Sequence, residues 1–473
     1  MKTNLVGRKN EIGILTECYQ SAESEFVAIY GRRRIGKTFL VKELFENDFA
    51  FFAEGILDGN QSVQLKNFND EIANYRGKDF PPAPDWLTAF NNLNRLIEAS
   101  PQKGKKVIFL DEIPSMATKN AGFLPALAHF WNRWAQSRKD VLLIICGSAT
   151  AWIIKNIVGN KGGLHNRLTH QIMLQPFTLK ECEAFFHMKN ILFTRYQIAE
   201  SYMIFGGVPY YMKFMKPELS FHQNVDALYF DENAPLRSEY RFLYRSLFAD
   251  SQGYIKIVEA LSSKSKGLTR KDISGQTGLA NSGRLTERIQ ELIHCGFVRE
   301  YLAFNKKERN RLYQLIDPFT IFSLRFSDKR KKYAQDFWLH FSATPAHSAW
   351  SGFAFERVCL QHVPQIRKAL GITGMMTEVS SWRSETTEPG AQIDLVIDRV
   401  DNMIHLCEAK YASTAFKIDK AYAGKLRSKR DAFMQETKTQ KSAHTTMITT
   451  FGLKRNEYAN EIMFQMTLDE LFE

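Results

Sequence analysis

Three stretches of this 473-residue chain hold reactive or ligand-binding residue types at spacings that chemistry can use. The first is Gly31-Arg32-Arg33-Arg34-Ile35-Gly36-Lys37-Thr38, which follows an apolar run, Phe26 to Tyr30, and opens a helix-like run, Thr38 to Leu44. Its spacing is a glycine, four residues, then Gly-Lys-Thr. The glycines let the backbone curl so that its N–H groups and a helix N-terminus point at one anion. Lys37 then reaches the outer phosphates of a polyphosphate, and the Thr38 hydroxyl is placed to coordinate Mg²⁺. The second stretch is Val107-Ile108-Phe109-Leu110-Asp111-Glu112, the pattern of a fully buried strand ending in two acids. Ligands bind at the carboxyl ends of such strands. Asp111 is therefore expected to hold the metal ion, and Glu112 to orient the attacking water.

The third stretch is C-terminal. Glu356 sits among Phe353, Phe355, Val358 and Leu360 in a helical run. Gln392 to Ile397 and Ile404 to Tyr411 alternate like strands, with residues 398–403 as turn material. Residues two apart on a strand share a face, so Glu408 and Lys410 point the same way. If the hairpin is symmetric about Asp401, Asp394 faces Glu408. Two carboxylates and a lysine on an otherwise apolar hairpin admit two readings. Either Lys410 neutralises buried acids, or the acids Asp394 and Glu408 bind metal and Lys410 acts on a phosphate.

The glycine loop requires a strand before it and a helix after it. Upstream lies Leu5-Val6-Gly7-Arg8-Lys9-Asn10-Glu11, followed by a helical pattern through Ile12, Leu15 and Tyr19. A third buried run, Val141 to Cys146, ends in Gly147-Ser148-Ala149-Thr150. Gly162-Gly163-Leu164-His165-Asn166-Arg167 precedes a short strand, His170 to Leu174, and then Pro176-Phe177; Gly206-Gly207-Val208-Pro209-Tyr210-Tyr211 follows a helical segment. Together these stretches resemble the AAA+ and STAND-type P-loop ATPases, in particular their archaeal-type members. That resemblance implies ATP and Mg²⁺ as cofactors and a Val-Gly-Arg box near the adenine. It puts the strand 141–146 between the strands that carry the phosphate loop and the acidic pair, with Ser148 sensing the γ-phosphate. The other reading of Ser148 is an N-cap for a helix beginning at Ala151. Arg167 becomes an arginine finger or sensor, although Asn166 departs from the glycine of the family pattern. A surface arginine on a basic loop is the alternative. The double-glycine turn is architecture in a helical lid.

Residues 253–316 read as three helices and a β-hairpin. Ile255, Ile257, Val258 and Leu261 give one helical face, and Thr269 caps a second helix, Arg270 to Thr277, that ends at Gly278. A third runs from about Asn281 to His294, and strands Phe297 to Ala303 and Arg311 to Ile316 flank a charged tip. This is a winged-helix pattern. Arg284 and Arg288 on its third helix, with Lys306, Lys307, Arg309 and Arg311 on its wing, suit phosphate contact, though winged helices also bind proteins. Helix, strand and strand bearing Glu356, Asp394, Glu408 and Lys410 resemble the PD-(D/E)XK nucleases. The family's acids bind Mg²⁺ and its lysine positions the attacking water.

The formal net charge of +12 and a pI near 9.2 favour a polyanionic partner, and nucleic acid, DNA above all, is expected. Six scattered cysteines without C-x-x-C spacing argue against zinc ribbons and a disulfide framework, so a reduced, cytoplasmic setting is expected. No apolar run is long enough to span a bilayer. A homo-oligomer is left open. The expected fold is α/β: a P-loop parallel-sheet ATPase core at 1–175, a helical lid and connector at 176–248, a winged helix at 249–325, a basic linker at 326–348, and an α/β restriction-endonuclease-like domain at 349–473. The whole resembles bacterial and archaeal ATPases that join these parts. The leading expectation is an ATP-hydrolysing, DNA-associated protein with a metal-dependent nuclease domain. The rival is a nucleotide-gated switch whose C-terminal domain is a binding scaffold.

Overall fold

In a computed structural model, the described residues are 5–76, 81–160, 162–248, 250–306, 310–326, 336–384 and 390–473. They divide into two compact units, Met1–Gln175 and Pro176–Glu473.

The first unit is built on a five-stranded sheet. Its strands are β1 (Glu25–Tyr30), β2 (Phe49–Glu54), β3 (Lys106–Asp111), β4 (Val141–Gly147) and β5 (His170–Met173). All pairings are parallel, in the order β2-β3-β4-β1-β5. Every residue of β3 and β4 is buried, which is why both read as unbroken apolar runs rather than alternating ones. Val27, Ile29, Phe109 and Ile144 pack on one face against Leu15 of the helix Lys9–Gln20 and Leu40 of the helix Lys37–Phe45. Phe26, Ala28, Leu110 and Leu143 pack on the other against the helices Trp86–Glu98 and Phe123–Phe130. As expected, β4 lies between β1 and β3.

The second unit opens with the helices Leu179–Met188 and Arg195–Phe205. The latter ends in Gly206-Gly207. Gly207 has φ +65°, and a Cβ there would stand 2.2 Å from the Phe177 carbonyl oxygen. Phe177 N–H donates to the Gly207 carbonyl at 2.8 Å, so the Pro-Phe and Gly-Gly pairs are two halves of one close backbone crossing. After the helices Pro209–Met212, Phe221–Val225 and Glu239–Leu247 come three more, Ser251–Ser262, Arg270–Thr277 and Gly283–His294, then the antiparallel pair β6 (Val298–Tyr301) and β7 (Leu312–Leu315). Thr269 caps the second helix through a capping box with Asp272, and Gly278 closes it. The third helix begins at Gly283 behind Ser282, two residues later than expected, and each hairpin strand is shorter than its apolar run.

A mixed five-stranded sheet completes this unit: β8 (Thr377–Arg383), β9 (Gln392–Arg399), β10 (Met403–Lys410), β11 (Ser442–Thr449) and β12 (Phe464–Thr467), in the order β12-β11-β10-β9-β8. Strands β9 and β10 reach further into the turn than their apolar alternation suggests, since Asp398, Arg399 and Met403 belong to them. The helix Pro345–Gln361 packs on β10.

Candidate functional site

Two clusters of functional side chains form, one in each unit. In the first, Gly31 follows β1 with φ +143°, and a Cβ there would lie 2.4 Å from the Leu174 carbonyl oxygen, so no side chain fits. Arg32 and Ile35 are buried, Arg33 and Arg34 are half-buried, and Gly36 caps the helix that Lys37 and Thr38 begin. Lys37 Nζ donates to the carbonyls of Gly31 at 2.8 Å and Arg32 at 2.9 Å. Arg8 caps the preceding helix and reaches the Ile35 carbonyl at 3.3 Å, tying the Val-Gly-Arg box to this loop.

The Thr38 hydroxyl donates to Asp111 Oδ2 at 2.5 Å, which sets two hard oxygen donors side by side. Glu112 N–H donates to Asp111 Oδ1 at 2.8 Å, and Glu112 has left-handed backbone, φ +49°. Its carboxylate accepts from Ser148 N–H at 3.1 Å and from Ser148 Oγ at 2.6 Å. The strand tip therefore holds Glu112. The N-cap reading of Ser148 fails, because the next helix, Thr150–Ile153, has Ala149 at its N-cap and no side-chain cap. Glu54 ends β2 opposite Asp111 and adds an acid that motif spacing did not single out. Glu54 is exposed to solvent; desolvation by its surroundings, then the Asp111 charge, raises its carboxyl. Arg167 is exposed and donates to Gln136 Oε1 at 3.4 Å; among the described residues it touches no member of the phosphate loop.

The second cluster forms on the mixed sheet. Cys407 pairs with Leu395 and Leu406 with Val396, the symmetric register about Asp401, so Glu408 and Asp394 are the next opposed positions. Phe355 packs on Tyr411 at 5.5 Å and seats the helix that carries Glu356 over β10. Burial, then the charges of Asp394 and Glu408, pushes the Glu356 carboxyl up to about 8, with Lys410 pulling the other way. Burial also opposes charge on Glu408, yet Lys429 and Lys410 overcome it and lower that carboxyl. Lys410 Nζ stands 3.1 Å from Glu408 Oε1 and Lys429 Nζ 2.7 Å from Oε2, while Tyr422 donates to Oε1 at 2.9 Å. Gln392 donates its amide N–H to Asp394.

Lys429, Tyr422 and Gln392 belong to no motif in the sequence. Tyr422, Leu426, Lys429 and Phe433 recur at helical spacing on the helix Lys420–Thr437, with Leu426 and Phe433 buried, so that stripe is the available signal for two of them.

The basic residues of the helix–hairpin region fall into different settings. Arg284 is exposed and stands 3.2 Å from Asp250. Arg288 corrects the expectation of a nucleic-acid contact: it is buried, ion-paired with Asp250 and lies over the Tyr254 ring at 5.8 Å. It falls beside the buried stripe Leu285, Ile289 and Leu292, which turns it inward. Lys306 is exposed, and Arg311 pairs with Glu300 at 2.8 Å. Lys307 and Arg309 lie outside the described residues, as does the stretch 327–335 of the basic linker.

A parallel α/β sheet with a Gly-Lys-Thr loop at the carboxyl end of β1 and an acidic pair at the end of β3 defines a P-loop ATPase. Residues 5–214 match the model of an ATPase domain found predominantly in Archaea. Residues 5–214 are thus similar to an archaeal-type ATPase domain, which supports ATP binding and hydrolysis by this part of the chain.

An uncharacterized protein of Methanocaldococcus jannaschii is 25% identical over 394 residues, covering 83% of each chain. An uncharacterized ATP-binding protein of the same organism is 40% identical over 42 residues, 9% of this chain and 71% of that one. Among solved structures, a Walker-type ATPase of Pyrococcus abyssi aligns with TM-score 0.48 and 16% identity, covering 68% of this chain and 96% of the other. The Aeropyrum pernix ORC2 protein in its ADPNP–ADP complexes aligns with TM-score 0.44 and 15% identity, covering 72% and 96%.

Proposed function

We propose that the protein uses ATP hydrolysis in the service of nucleic-acid binding and that its C-terminal cluster cleaves phosphodiester bonds with a divalent metal. The observation that carries the cleavage reading is the raised carboxyl of Glu356, set against Asp394 and Glu408. Lys410 and Lys429 both sit on Glu408, while Arg357 faces Glu356 and Asp394, and Arg299 and Lys266 face Asp394. Glu356 and Asp394 are a hard oxygen pair whose mutual repulsion a Mg²⁺ or Mn²⁺ ion relieves. Bound there, with Glu408 completing the set, such an ion supplies Lewis-acid activation of a phosphoryl oxygen. Lys410 holds positive charge for the scissile phosphate, and Glu356 accepts a proton from the attacking water. In the first unit, Thr38 and Asp111 hold Mg²⁺, Lys37 binds the outer phosphates, and Glu112 orients water.

The test pairs thermal unfolding, with and without Mn²⁺, with cleavage assays on several DNA and RNA forms. Lys410→Ala is expected to stay folded and bind metal while losing cleavage by orders of magnitude. Asp394→Ala is expected to lose metal stabilisation and cleavage and to keep ATP hydrolysis. A wild type that neither cuts nor gains stability from metal overturns the nuclease reading. The second reading then stands, a nucleotide-gated switch with a C-terminal scaffold. The three bonds that Glu408 accepts from Lys410, Lys429 and Tyr422 favour it. On that reading Lys410→Ala destabilises by about 3–5 kcal/mol.

The helices and hairpin at 251–315 act as a winged helix on the nucleic-acid backbone through Arg284, Lys306 and Arg311, with Lys307 and Arg309 assigned from sequence alone. Reversing Lys306, Lys307 and Arg309 to glutamate is expected to weaken DNA binding. It should also flatten the salt dependence by about 0.9 log–log units for each phosphate no longer neutralised. Unchanged affinity and slope move this region to protein contact. Six buried, unbridged cysteines fit a reducing, cytoplasmic setting.

A further inference from the structure

At the end of the first sheet opposite the phosphate loop, Cys18, Glu25 and His170 each present a ligand atom, and all three atoms lie within 4.8 Å of one another. The backbone explains the meeting. Cys18 lies on the buried side of the helix Lys9–Gln20, in the same cluster as Leu15. Glu25 begins β1 and shares a face with Val27 and Ile29, which pack into that cluster. His170 begins β5, aligned with Val27, and shares the face of Ile172, again in that cluster. Thr169 fixes the alignment: its N–H donates to the Phe26 carbonyl at 2.9 Å and its hydroxyl accepts from Phe26 N–H at 3.0 Å.

A tetrahedral ion with bonds of about 2.0–2.3 Å holds its ligand atoms roughly 3.3–3.8 Å apart. Small rotamer changes close the observed spread to that range. Thiolate, imidazole and carboxylate together form a donor set for Zn²⁺, whereas Mg²⁺ takes oxygen ligands. We propose that Cys18, Glu25 and His170 form a Zn²⁺ site with one position left for water.

Lys105 is the nearby cation; its ammonium donates to the carbonyls of Glu23, Ser21 at 2.8 Å and Lys139 at 3.3 Å, and it feels the charge of Glu25 from beyond ion-pair distance. Among the described residues Glu25 makes no ion pair. The site stands about 20 Å from Gly31, the length of a six-residue strand. Zinc there pins to the sheet the helix whose other end carries Arg8 against the phosphate loop.

The test uses the full chain, stripped with chelator, free of nucleotide and titrated with Co²⁺ under excess Mg²⁺. The expected result is a sulfur-to-cobalt charge-transfer band with intense tetrahedral visible bands, and a rise in Tm with Zn²⁺. Cys18→Ser should abolish the sulfur band, and Glu25→Gln and His170→Ala should each weaken Co²⁺ binding by at least about tenfold. Cys182→Ser, a buried cysteine in the other unit, should change nothing. Cobalt at the Glu356 cluster has oxygen ligands and gives no sulfur band, so the two sites are told apart. A wild type without the sulfur band, or a band that survives Cys18→Ser, overturns the proposal. If Cys18→Ser does not fold, His170→Ala, on an edge strand, decides: tetrahedral bands of undiminished affinity in that variant overturn it equally.

Discussion

Ser148 and Glu112 are joined by two hydrogen bonds to one carboxylate oxygen, and that link decides what the acid can do. Removing the hydroxyl leaves the backbone N–H as the remaining donor and lets the carboxylate swing. Ser148→Ala is therefore expected to slow ATP hydrolysis about tenfold or more with nucleotide affinity little changed, and Glu112→Gln to bind ATP without hydrolysing it. Single-turnover hydrolysis beside a binding titration checks both, and equal hydrolysis by wild type and Glu112→Gln removes the water-orienting role. Glu356 makes a prediction in pH. Its carboxyl titrates near 8 in the folded chain and near 4.5 unfolded, so between these values the folded state holds the extra proton. Metal-free stability should fall as pH rises across that window, by at most about 1.4 kcal/mol per unit. Divalent metal should release the proton and flatten the slope, and Glu356→Gln should abolish it. Denaturant melts at stepped pH measure all three.

At the scale of elements, the crossing of Phe177 and Gly207 and the interior of the helix Arg270–Thr277 give glycines of opposite consequence. At Gly207 a methyl group meets a carbonyl at 2.2 Å in left-handed backbone, so Gly207→Ala is expected to cost about 1–3 kcal/mol or more. At Gly275 nothing lies within 4 Å, and Gly275→Ala should stabilise by about 0.5–1 kcal/mol. Thermal unfolding of the two variants gives opposite signs. The same scale explains what is legible in the sequence. Buried parallel strands announce themselves as apolar runs, so β1, β3 and β4 are visible, and hairpin symmetry sets Asp394 toward Glu408. Strand ends are harder to read, because β9 continues through the polar residues Asp398 and Arg399 that alternation assigns to a turn. Charge alone misplaces Arg288, although its position beside Leu285 and Ile289 turns it inward.

For the molecule as a whole, two buried histidines contribute to acid stability. His362 donates from Nδ1 to the Val358 carbonyl at 2.8 Å and accepts at Nε2 from Leu179 N–H at 3.1 Å, and burial lowers it to about 4. Burial, then Arg399, lowers His405 to about 4 as well. Unfolded histidines titrate near 6.5, so from there down to about 4 the unfolded chain takes up protons that these two refuse. Their shared contribution is intact above 6.5 and is lost as pH falls through that window. Glu356 opposes this with one proton down to about 4.5, so stability should peak near pH 6.5 and decline on both sides. Replacing His405 with glutamine should shallow the acid limb, which a pH series of melting curves tests. Neither histidine carries a signal in sequence, since burial of a lone imidazole is a tertiary outcome. Cys18, Glu25 and His170 are hidden for the same reason: residues from a helix and two strands meet only once the sheet has formed.

The hairpin that sets Asp394 opposite Glu408 also leaves a rule of descent. Side chains alternate along β9, so one residue inserted or deleted between Asp394 and Ile397 either turns the acid to the far face or forces a bulge. Two residues inserted together keep its face but carry it two positions along the strand, opposite Lys410 instead of Glu408. Lineages that keep this acid opposite Glu408 are therefore expected to hold the length of that stretch fixed, and an indel there marks a lineage in which the cluster has lapsed while its four residues are all still spelled.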